Sequence, residues 1–258
     1  MKVSIIVPVY NSSNILDDLN ERVLAVMNKS NFKNNFELIL INDASEDNSW
    51  QKIKDLSESH NYIKGLNLSE NFGQHNSIMA GLNNCAGEYI ITLDDDLQHP
   101  PEYLPEIIKQ LNINDVCYTN YINRKHLGWK KAVSSLNNII SSFILSKPLN
   151  IYMSSFRGLQ RKIVDEVIKF KKSDVYIDGL IIKSTNKIKM INVEHHARKA
   201  GQSNYNFKKL LILWSNMILN FSFFPIRLSS LFGISLKLII ILIRKKNNKP
   251  QFNIIEKT

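Results

Sequence analysis

The sequence predicts an α/β protein whose sheet is mostly parallel and covered by helices. Two observations support this fold class. Four apolar, β-favouring runs lie near residues 3–10, 36–41, 63–68 and 89–93, and each is followed by residues with helical spacing. Strands that alternate with helices in this way are typical of a parallel sheet. With 258 residues, 44% of them hydrophobic, the chain can form one large α/β domain, or one domain plus an appendage.

The elements can be assigned in order along the chain. Residues 11–14 follow the first strand with a turn and helix-cap signal, and apolar residues then recur at helical spacing. The second and third units repeat this plan. Beyond the fourth strand, the pattern predicts a strand at 115–119, an amphipathic helix over 132–144, a helix over 162–170 and a strand at 188–193.

Three carboxylates, Asp94, Asp95 and Asp96, directly follow the fourth strand. Crowded carboxylates repel one another, and a divalent cation such as Mg²⁺ or Mn²⁺ relieves the repulsion. Side chains alternate along an extended segment, so Asp94, Asp96 and Gln98 are the predicted metal face. The alternative is an acidic turn before a helix, because two prolines and Glu102 suit a helix start.

Polar residues follow each of the first four strands, and right-handed crossovers bring such loops to one edge of a parallel sheet. We therefore predict a single cleft there. It would collect Tyr10 and Asn11, Asp43 and Asp47, Asn71 and Gln74, and the three aspartates. Asp43 has an alternative role as the cap of the next helix. No dinucleotide or phosphate-loop motif is present, which argues against ordinary dinucleotide enzymes and phosphate-loop ATPases.

The formal net charge of +10 predicts an anionic partner. Nucleic acid is not expected, since no stacking platform or known motif accompanies the charge. The basic residues around 124–131 form either a solvated surface or an anion site beside the cleft. The two cysteines have no metal or redox spacing, which favours a reducing compartment. Because a strand-like run begins at Val3, without a signal peptide, the catalytic part should face the cytoplasm.

The character of the chain changes after residue 205, and we divide it into a domain at 1–205 and a helical tail at 206–258. Residues 207–224 and 228–243 are strongly apolar, but Pro225 and Arg227 separate them. Neither run clearly reaches the roughly 20 apolar residues of a bilayer crossing. Helices in the interface of an anionic membrane fit better, peripheral or shallowly inserted, with a buried helix pair as the alternative. The last dozen residues are expected to be frayed.

The motifs together resemble family 2 glycosyltransferases of the polyprenyl-phosphate type, the relatives of dolichol-phosphate mannosyltransferase. The resemblance spans roughly residues 1–230. Its most specific part is Leu-Asp-Asp-Asp-Leu-Gln-His-Pro-Pro-Glu at 93–102. Ser12 stands where the family usually has Glu, and Asn42 and Ala44 vary the usual Asp-Asp-Gly-Ser. The other matching stretches are residues 6–11, 41–47, 71–74, 80–81 and 198–205.

The resemblance implies a glycosyltransferase A-type fold with a Rossmann-like nucleotide half, a nucleotide-diphosphate sugar donor and a divalent metal. It places Asp96 and Arg198 in catalysis, Asp94, Asp96 and Gln98 on the metal, and the lipid phosphate near basic residues after the fifth strand. The predicted acceptor residues are Arg124, Lys125 and Lys131. The predicted donor-binding residues are Pro8, Tyr10, Asn11, Asp43, Asn71, Gln74, Asp94, Asp95 and Ser203.

The leading hypothesis is inverting transfer of a sugar from the nucleotide to a polyprenyl phosphate at the cytoplasmic membrane face. One rival is transfer to a glycan hydroxyl in surface polysaccharide synthesis, for which Asp178 is the candidate base. Another is a non-catalytic membrane scaffold that keeps the fold. The sugar, the choice between uridine and guanosine donors, and association with itself or with a membrane partner are left open.

Overall fold

The computed structural model describes residues 2–122, 151–194 and 250–258, together with positions 142 and 148. The first half alternates strand and helix as β1 (Val3–Val9), α1 (Leu16–Asn28), β2 (Phe36–Asn42), α2 (Ser49–Ser59), β3 (Ile63–Leu68), α3 (Gln74–Asn84) and β4 (Tyr89–Thr92). A 3-10 turn (Pro101–Tyr103) then leads into α4 (Leu104–Leu111) and β5 (Val116–Ile122). The remaining described elements are β6 (Arg157–Gln160), α5 (Arg161–Val167), α6 (Ile177–Ser184), β7 (Ile188–Glu194) and β8 (Ile254–Lys257).

The strands form one sheet in the order β7-β5-β6-β4-β1-β2-β3-β8. Strand β1 pairs in parallel with β2 and β4, β2 pairs in parallel with β3, and β5 pairs in parallel with β7. Strands β6 and β8 run the opposite way. The predicted α/β class with a mostly parallel sheet is therefore confirmed, and β1 to β5 and β7 all end at the same edge, here called the carboxyl edge.

Helices cover both faces of the sheet, so its central strands are buried along their whole length, as their continuous apolar runs predict. Alternate side chains of β1 enter two different cores. Ile5 packs in the same core as Leu19 of α1, whereas Ile6 packs in the core that contains Met79 of α3. This double anchoring fixes the position of the loops at the carboxyl edge.

Two short strands differ from the sequence-based expectation. No strand was predicted at β6, which inserts antiparallel between β4 and β5. The expectation of frayed final residues is wrong for β8, which pairs with β3, and this part of the predicted helical tail is a strand. Gly65 of β3 exchanges two hydrogen bonds with Thr258, and Trp50 donates to Glu256 at 2.7 Å. The C-terminal residues thus belong to the sheet.

The predicted membrane-interfacial helices fall mainly at 206–249, outside the described residues. Across residues 2–122, 151–194 and 250–258, the helices are too short or too polar to span a bilayer.

Candidate active site

Four loops at the carboxyl edge contain residues with left-handed backbone. These residues are Asn11 after β1, Ala44 after β2, Gly73 after β3 and Leu97 after β4, with φ values of 54°, 54°, 83° and 56°. Such a conformation is uncommon for residues other than glycine and is found preferentially at functional sites. In the described part of the chain, the positive φ values all occur here. The sharp turns bring the polar side chains of the four loops together, as the sequence predicted.

Asp94 is held by side chains from two other elements. Gln74, the first residue of α3, donates through Nε2 to Oδ1 of Asp94 at 2.7 Å. Ser155, two residues before β6, donates through Oγ to Oδ2 at 2.7 Å. His99 Nδ1 lies 3.5 Å from Oδ2, which is too long for a good hydrogen bond, and this buried nitrogen has no hydrogen-bond partner in the structure. Gln74 was predicted from sequence, whereas Ser155 and His99 were not.

Asp95 faces the loop after β1. Its Oδ2 accepts hydrogen bonds from the Tyr10 backbone N–H at 3.1 Å and from Ser12 Oγ at 2.6 Å. Burial, with a further contribution from the neighbouring Asp94 and Asp96, raises the pKa of the Asp95 carboxyl to about 6, although both hydrogen bonds oppose the rise. Asp95 and Ser12 therefore connect the loop after β4 to the loop after β1 through a side-chain hydrogen bond.

Asp96 is buried, and its Oδ1 accepts a hydrogen bond from the Gln98 backbone N–H at 3.0 Å. This bond closes a tight turn around Leu97, the residue with positive φ. The turn directs the chain toward Pro101–Tyr103 and α4, so the predicted helix start and the acidic site coexist.

Asp94 and Asp96 are the two carboxylates of the predicted metal face. Within the described residues, no group of three or more His, Cys, Asp or Glu side chains is arranged to hold an ion. Asp94 and Asp96 nonetheless supply hard oxygen donors, and Asp94 is approached by two neutral hydrogen-bond donors. Magnesium sites often use one or two carboxylates, with substrate phosphates and water completing the shell. The residues fit such an ion, and the ion itself stays a prediction.

Asp43 holds the loop that precedes α3. Its two carboxylate oxygens accept hydrogen bonds from the backbone N–H groups of Phe72 and Gly73 at 2.8 and 2.9 Å. Asn71 donates to the Asp43 carbonyl at 3.2 Å. Burial raises the pKa of the Asp43 carboxyl, against the effect of its hydrogen bonds. The alternative of a cap on the next helix is wrong, because Asn48 precedes α2.

The other predicted donor residues lie at the end of β1. Pro8 is buried opposite Ile41 of β2. Asn11 accepts from the Glu46 backbone N–H at 2.8 Å and so joins the loops after β1 and β2. Tyr10 has an exposed side chain. These placements are compatible with donor contacts, which stay predictions. The predicted residues Arg124, Lys125, Lys131, Arg198 and Ser203 lie outside the described residues.

Asp178, the candidate base of the hydroxyl-transfer rival, lies in a buried ion pair. It contacts Nη1 of Arg157, whose side chain is fully buried, and accepts a hydrogen bond from Tyr118 OH at 2.8 Å. Arg157 opens β6, a strand that sequence reasoning missed, so its pairing with Asp178 had no sequence signal. The carboxylate is engaged on the inside of the protein.

The fold and the site together define a class of protein. An α/β sheet whose carboxyl edge carries an aspartate cluster beside the crevice between β1 and β4 is suited to bind a nucleotide and a metal-chelated diphosphate. That is the architecture of a nucleotide-sugar-dependent glycosyltransferase.

The chain matches one known family of enzymes over most of its catalytic part. Residues 4–168 match the family described as Glycosyl transferase family 2, and the chain belongs to this family of enzymes. It is 34% identical over 234 residues to an undecaprenyl-phosphate 4-deoxy-4-formamido-L-arabinose transferase of Photorhabdus laumondii, covering 90% of this chain and 71% of that one. A protein of the same name from Proteus mirabilis is 32% identical with the same coverage.

Solved structures share the fold. The glucosyl-3-phosphoglycerate synthase of Mycobacterium tuberculosis, in complex with Mn²⁺ and UDP-glucose, superposes with a TM-score of 0.61 at 12% identity, over 84% of this chain and 77% of that chain. Residues 1–349 of S. aureus TarS, in complex with UDP-GlcNAc, give a TM-score of 0.56 at 21% identity, over 85% and 67%. At these identities the likeness concerns the fold alone.

Proposed function

We propose that this glycosyltransferase moves a sugar, with inversion, from a nucleoside diphosphate to a polyprenyl phosphate at the cytoplasmic membrane face. The observation that carries the proposal is the fixed aspartate cluster at the carboxyl edge, in a chain that resembles undecaprenyl-phosphate sugar transferases along 90% of its length. The sheet supplies the donor site. The acceptor class comes from the relatives and is supported by two further features.

The first feature is the state of Asp178. A hydroxyl acceptor needs a base to remove its proton, whereas a phosphate monoester has a second pKa of about 6 and is already largely anionic at neutral pH. The base that the sequence suggested is paired with Arg157 and Tyr118 inside the protein. Withdrawing it would leave the Arg157 charge buried and unpaired, which is costly. A phosphate acceptor avoids this requirement.

The second feature is the distribution of charge. Residues 123–150 contain five Lys and Arg, residues 195–249 contain ten, and neither segment contains Asp or Glu. The remainder has 18 basic and 23 acidic residues, so it is net negative. All positive excess is therefore concentrated in these two segments, which also contain the predicted acceptor residues Arg124, Lys125 and Lys131.

Both segments join the sheet at the carboxyl edge. The first begins after the end of β5 and rejoins before β6, while the second begins after the end of β7 and rejoins before β8. Because β6 and β8 run antiparallel to their neighbours, they start at the edge where β5 and β7 finish. The acid-free segments are thus attached at the same edge of the sheet as the aspartate cluster, which suits a site that faces anionic lipid.

Within this proposal the side chains have separate roles. Asp94 and Asp96 would hold Mg²⁺ or Mn²⁺ from the protein side, with Gln98 as a further oxygen donor. When bound, the ion supplies positive charge to the departing diphosphate. Arg198 adds charge stabilisation and Ser203 a hydrogen bond to the phosphates. Asp43 fixes the nucleotide end of the cleft through the loop before α3.

Replacement of Asp96 by Asn tests the proposal. Purified protein is incubated with undecaprenyl phosphate, Mn²⁺ or Mg²⁺ and a panel of radiolabelled UDP- and GDP-sugars, and product is extracted into organic solvent. We expect Asp96→Asn to lower transfer by about a hundredfold or more, because it removes charge from the metal face. The control is Asp55→Asn at an exposed position of α2.

The outcomes separate the rivals. Undiminished transfer in Asp96→Asn would contradict the proposed metal face. Water-soluble product would favour the glycan hydroxyl, and nucleotide binding without turnover of any donor would favour the scaffold.

A further inference from the structure

We propose that Ser155 is a positioning residue for Asp94, holding the carboxylate in one orientation on the metal face. This inference rests on the proposed function, since it concerns the same site. Ser155 is distant in sequence from every motif that identifies the donor site, and it lies two residues before the short strand β6. Its hydroxyl nevertheless donates to Asp94 Oδ2 at 2.7 Å.

The backbone at Ser155 is itself anchored to β4. Thr92 donates through Oγ1 to the Ser155 carbonyl, and Thr92 also pairs with Arg157 in the antiparallel ladder of β4 and β6. Thr92 is the last residue of β4 and precedes Asp94 by two positions. The serine and the aspartate are therefore held relative to each other by the sheet, and the Ser155 hydroxyl has a defined place from which to donate.

An aromatic stack supports the same oxygen of Asp94. The His99 ring lies nearly parallel to Tyr121 and Phe156, at interplanar angles of 9° and 12° and centroid distances of 5.3 and 5.5 Å. Phe156 directly follows Ser155. His99 is buried in this stack with its Nδ1 3.5 Å from Asp94 Oδ2, so it fills the space beside the carboxylate.

The chemistry of the two donors suits a carboxylate that must bind a cation. Ser155 and Gln74 are neutral, and each donates to a different oxygen of Asp94. An arginine or lysine in either place would form a stronger, charge-assisted bond and would offset the negative charge. Neutral donors fix the direction of the carboxylate and leave its charge available. Groups that orient a metal ligand in this way commonly change metal affinity when they are mutated.

The neighbouring Ser154 provides a matched control. Its Oγ lies within hydrogen-bond distance of Thr119 Oγ1 at 3.0 Å, the Phe156 backbone N–H at 3.1 Å and Tyr121 OH at 3.0 Å. These contacts stabilise the start of β6 and do not include Asp94. Ser154→Ala and Ser155→Ala thus remove the same atom from adjacent positions, but only the second removes a contact to the metal face.

The experiment measures Mn²⁺ binding by the full chain in the presence of UDP and then of GDP, using electron paramagnetic resonance of the free ion, together with the thermal midpoint of unfolding. We expect Ser155→Ala to raise the Mn²⁺ dissociation constant about tenfold with little change in the midpoint. Ser155→Thr, which keeps the hydroxyl, should restore affinity. Ser154→Ala should lower the midpoint more and leave Mn²⁺ affinity within about twofold, because its bonds are structural.

Asp94→Asn separates the two proposals. If it loses Mn²⁺ while Ser155→Ala binds like the unmodified protein, the positioning role of Ser155 is wrong and the metal face stands. Equal losses of affinity in Ser154→Ala and Ser155→Ala would also overturn it. If Asp94→Asn binds Mn²⁺ as tightly as the unmodified protein, or if the unmodified protein does not bind Mn²⁺, both the metal face and the inference fail.

Discussion

His75 lies half-buried at the start of α3, next to the residue that contacts Asp94. Its ring meets Tyr176 edge to face at a centroid distance of 5.4 Å, and its buried Nδ1 has no hydrogen-bond partner in the structure. Burial lowers the pKa of the His75 imidazole to about 4, while the nearby Asp178 raises it and Arg157 lowers it further. The folded protein therefore favours the neutral ring.

The lowered pKa predicts acid sensitivity. The unfolded chain takes up a proton near pH 6.5, whereas the folded protein does so near pH 4, so stability is full above 6.5 and falls as the pH drops between these values. From pH 7.5 to pH 5, we expect His75 to account for a loss of about 2 kcal/mol. Urea unfolding at both pH values should show that His75→Gln loses correspondingly less unfolding free energy than the unmodified chain. His60→Gln, at a histidine away from His75 and its neighbours, is the control and should lose as much as the unmodified chain.

Individual site residues differed in how far the sequence could predict them. Asp94, Asp95 and Asp96 follow a long apolar strand, and that pattern alone placed them at the carboxyl edge. Their separate tasks depend on partners far along the chain, Ser155 for Asp94 and Ser12 for Asp95. Ser155 has no periodic or motif signal, because it lies 61 residues after Asp94 and is brought there by the antiparallel strand β6 that follows it.

Among the elements, β2 carries an acidic residue inside an otherwise apolar run. The Glu37 side chain is only 2% exposed, and it accepts hydrogen bonds from Lys2 and Lys64 at 3.0 and 2.7 Å and from Ser4 Oγ and the Ala86 N–H at 2.6 and 2.7 Å. These partners come from β1, β3 and the turns beside them. Burial would raise the pKa of the Glu37 carboxyl, but the four partners outweigh it and lower the pKa to about 2.

Glu37→Gln should destabilise the sheet in a pH-dependent way. Because the pKa of Glu37 in the folded protein is below its ordinary value of 4.5, the stabilisation is present above pH 4.5 and is lost as the pH falls toward 2. At pH 7 we expect Glu37→Gln to lower the free energy of unfolding by about 2 kcal/mol. This is less than the loss expected for a fully desolvated ion pair, because both lysines are partly exposed. Denaturant unfolding measures the free energy of unfolding of Glu37→Gln and of the unmodified protein at both pH values. The difference between the two proteins should be at least halved at pH 3 relative to pH 7. A stability difference that does not change with pH would contradict this assignment. Glu58→Gln, at an exposed position of α2, is the control.

Whole elements were predictable where the apolar pattern is long. Strands β1 to β4 are runs that the sheet buries, and their positions agree with the sequence. Strand β6 contains only four residues, and its first is the buried Arg157, so it lacks any strand pattern. Strand β8, also four residues long, is a largely exposed edge strand, and its sequence has no alternation of apolar and polar residues that would predict a strand. Their placement depends on pairing with β4, β5 and β3, which no local pattern encodes.

On the scale of the molecule, charge and topology act together. The net negative part of the chain includes the sheet and the aspartate cluster, while the acid-free segments 123–150 and 195–249 are attached at the carboxyl edge. The return of the chain into β8 ties the far end of the second segment to β3, on the opposite side of the sheet from β7. Both ends of that segment are therefore fixed at the edge that carries the proposed donor site.

This arrangement predicts directional binding to anionic membranes. Replacing Arg244, Lys245 and Lys246 by Gln should weaken binding to vesicles of phosphatidylglycerol and phosphatidylcholine on the order of tenfold or more, since each basic residue near such a surface contributes about 1 kcal/mol. The control exchanges Lys29, Lys33 and Lys187, which are exposed near the opposite edge of the sheet. Co-sedimentation with vesicles at increasing salt measures the binding of both triple variants and of the unmodified chain. Binding of the unmodified chain should fall as salt screens the attraction. Equal losses in the two triple variants, or equal binding to purely neutral vesicles, would show that the carboxyl edge has no special affinity for anionic lipid.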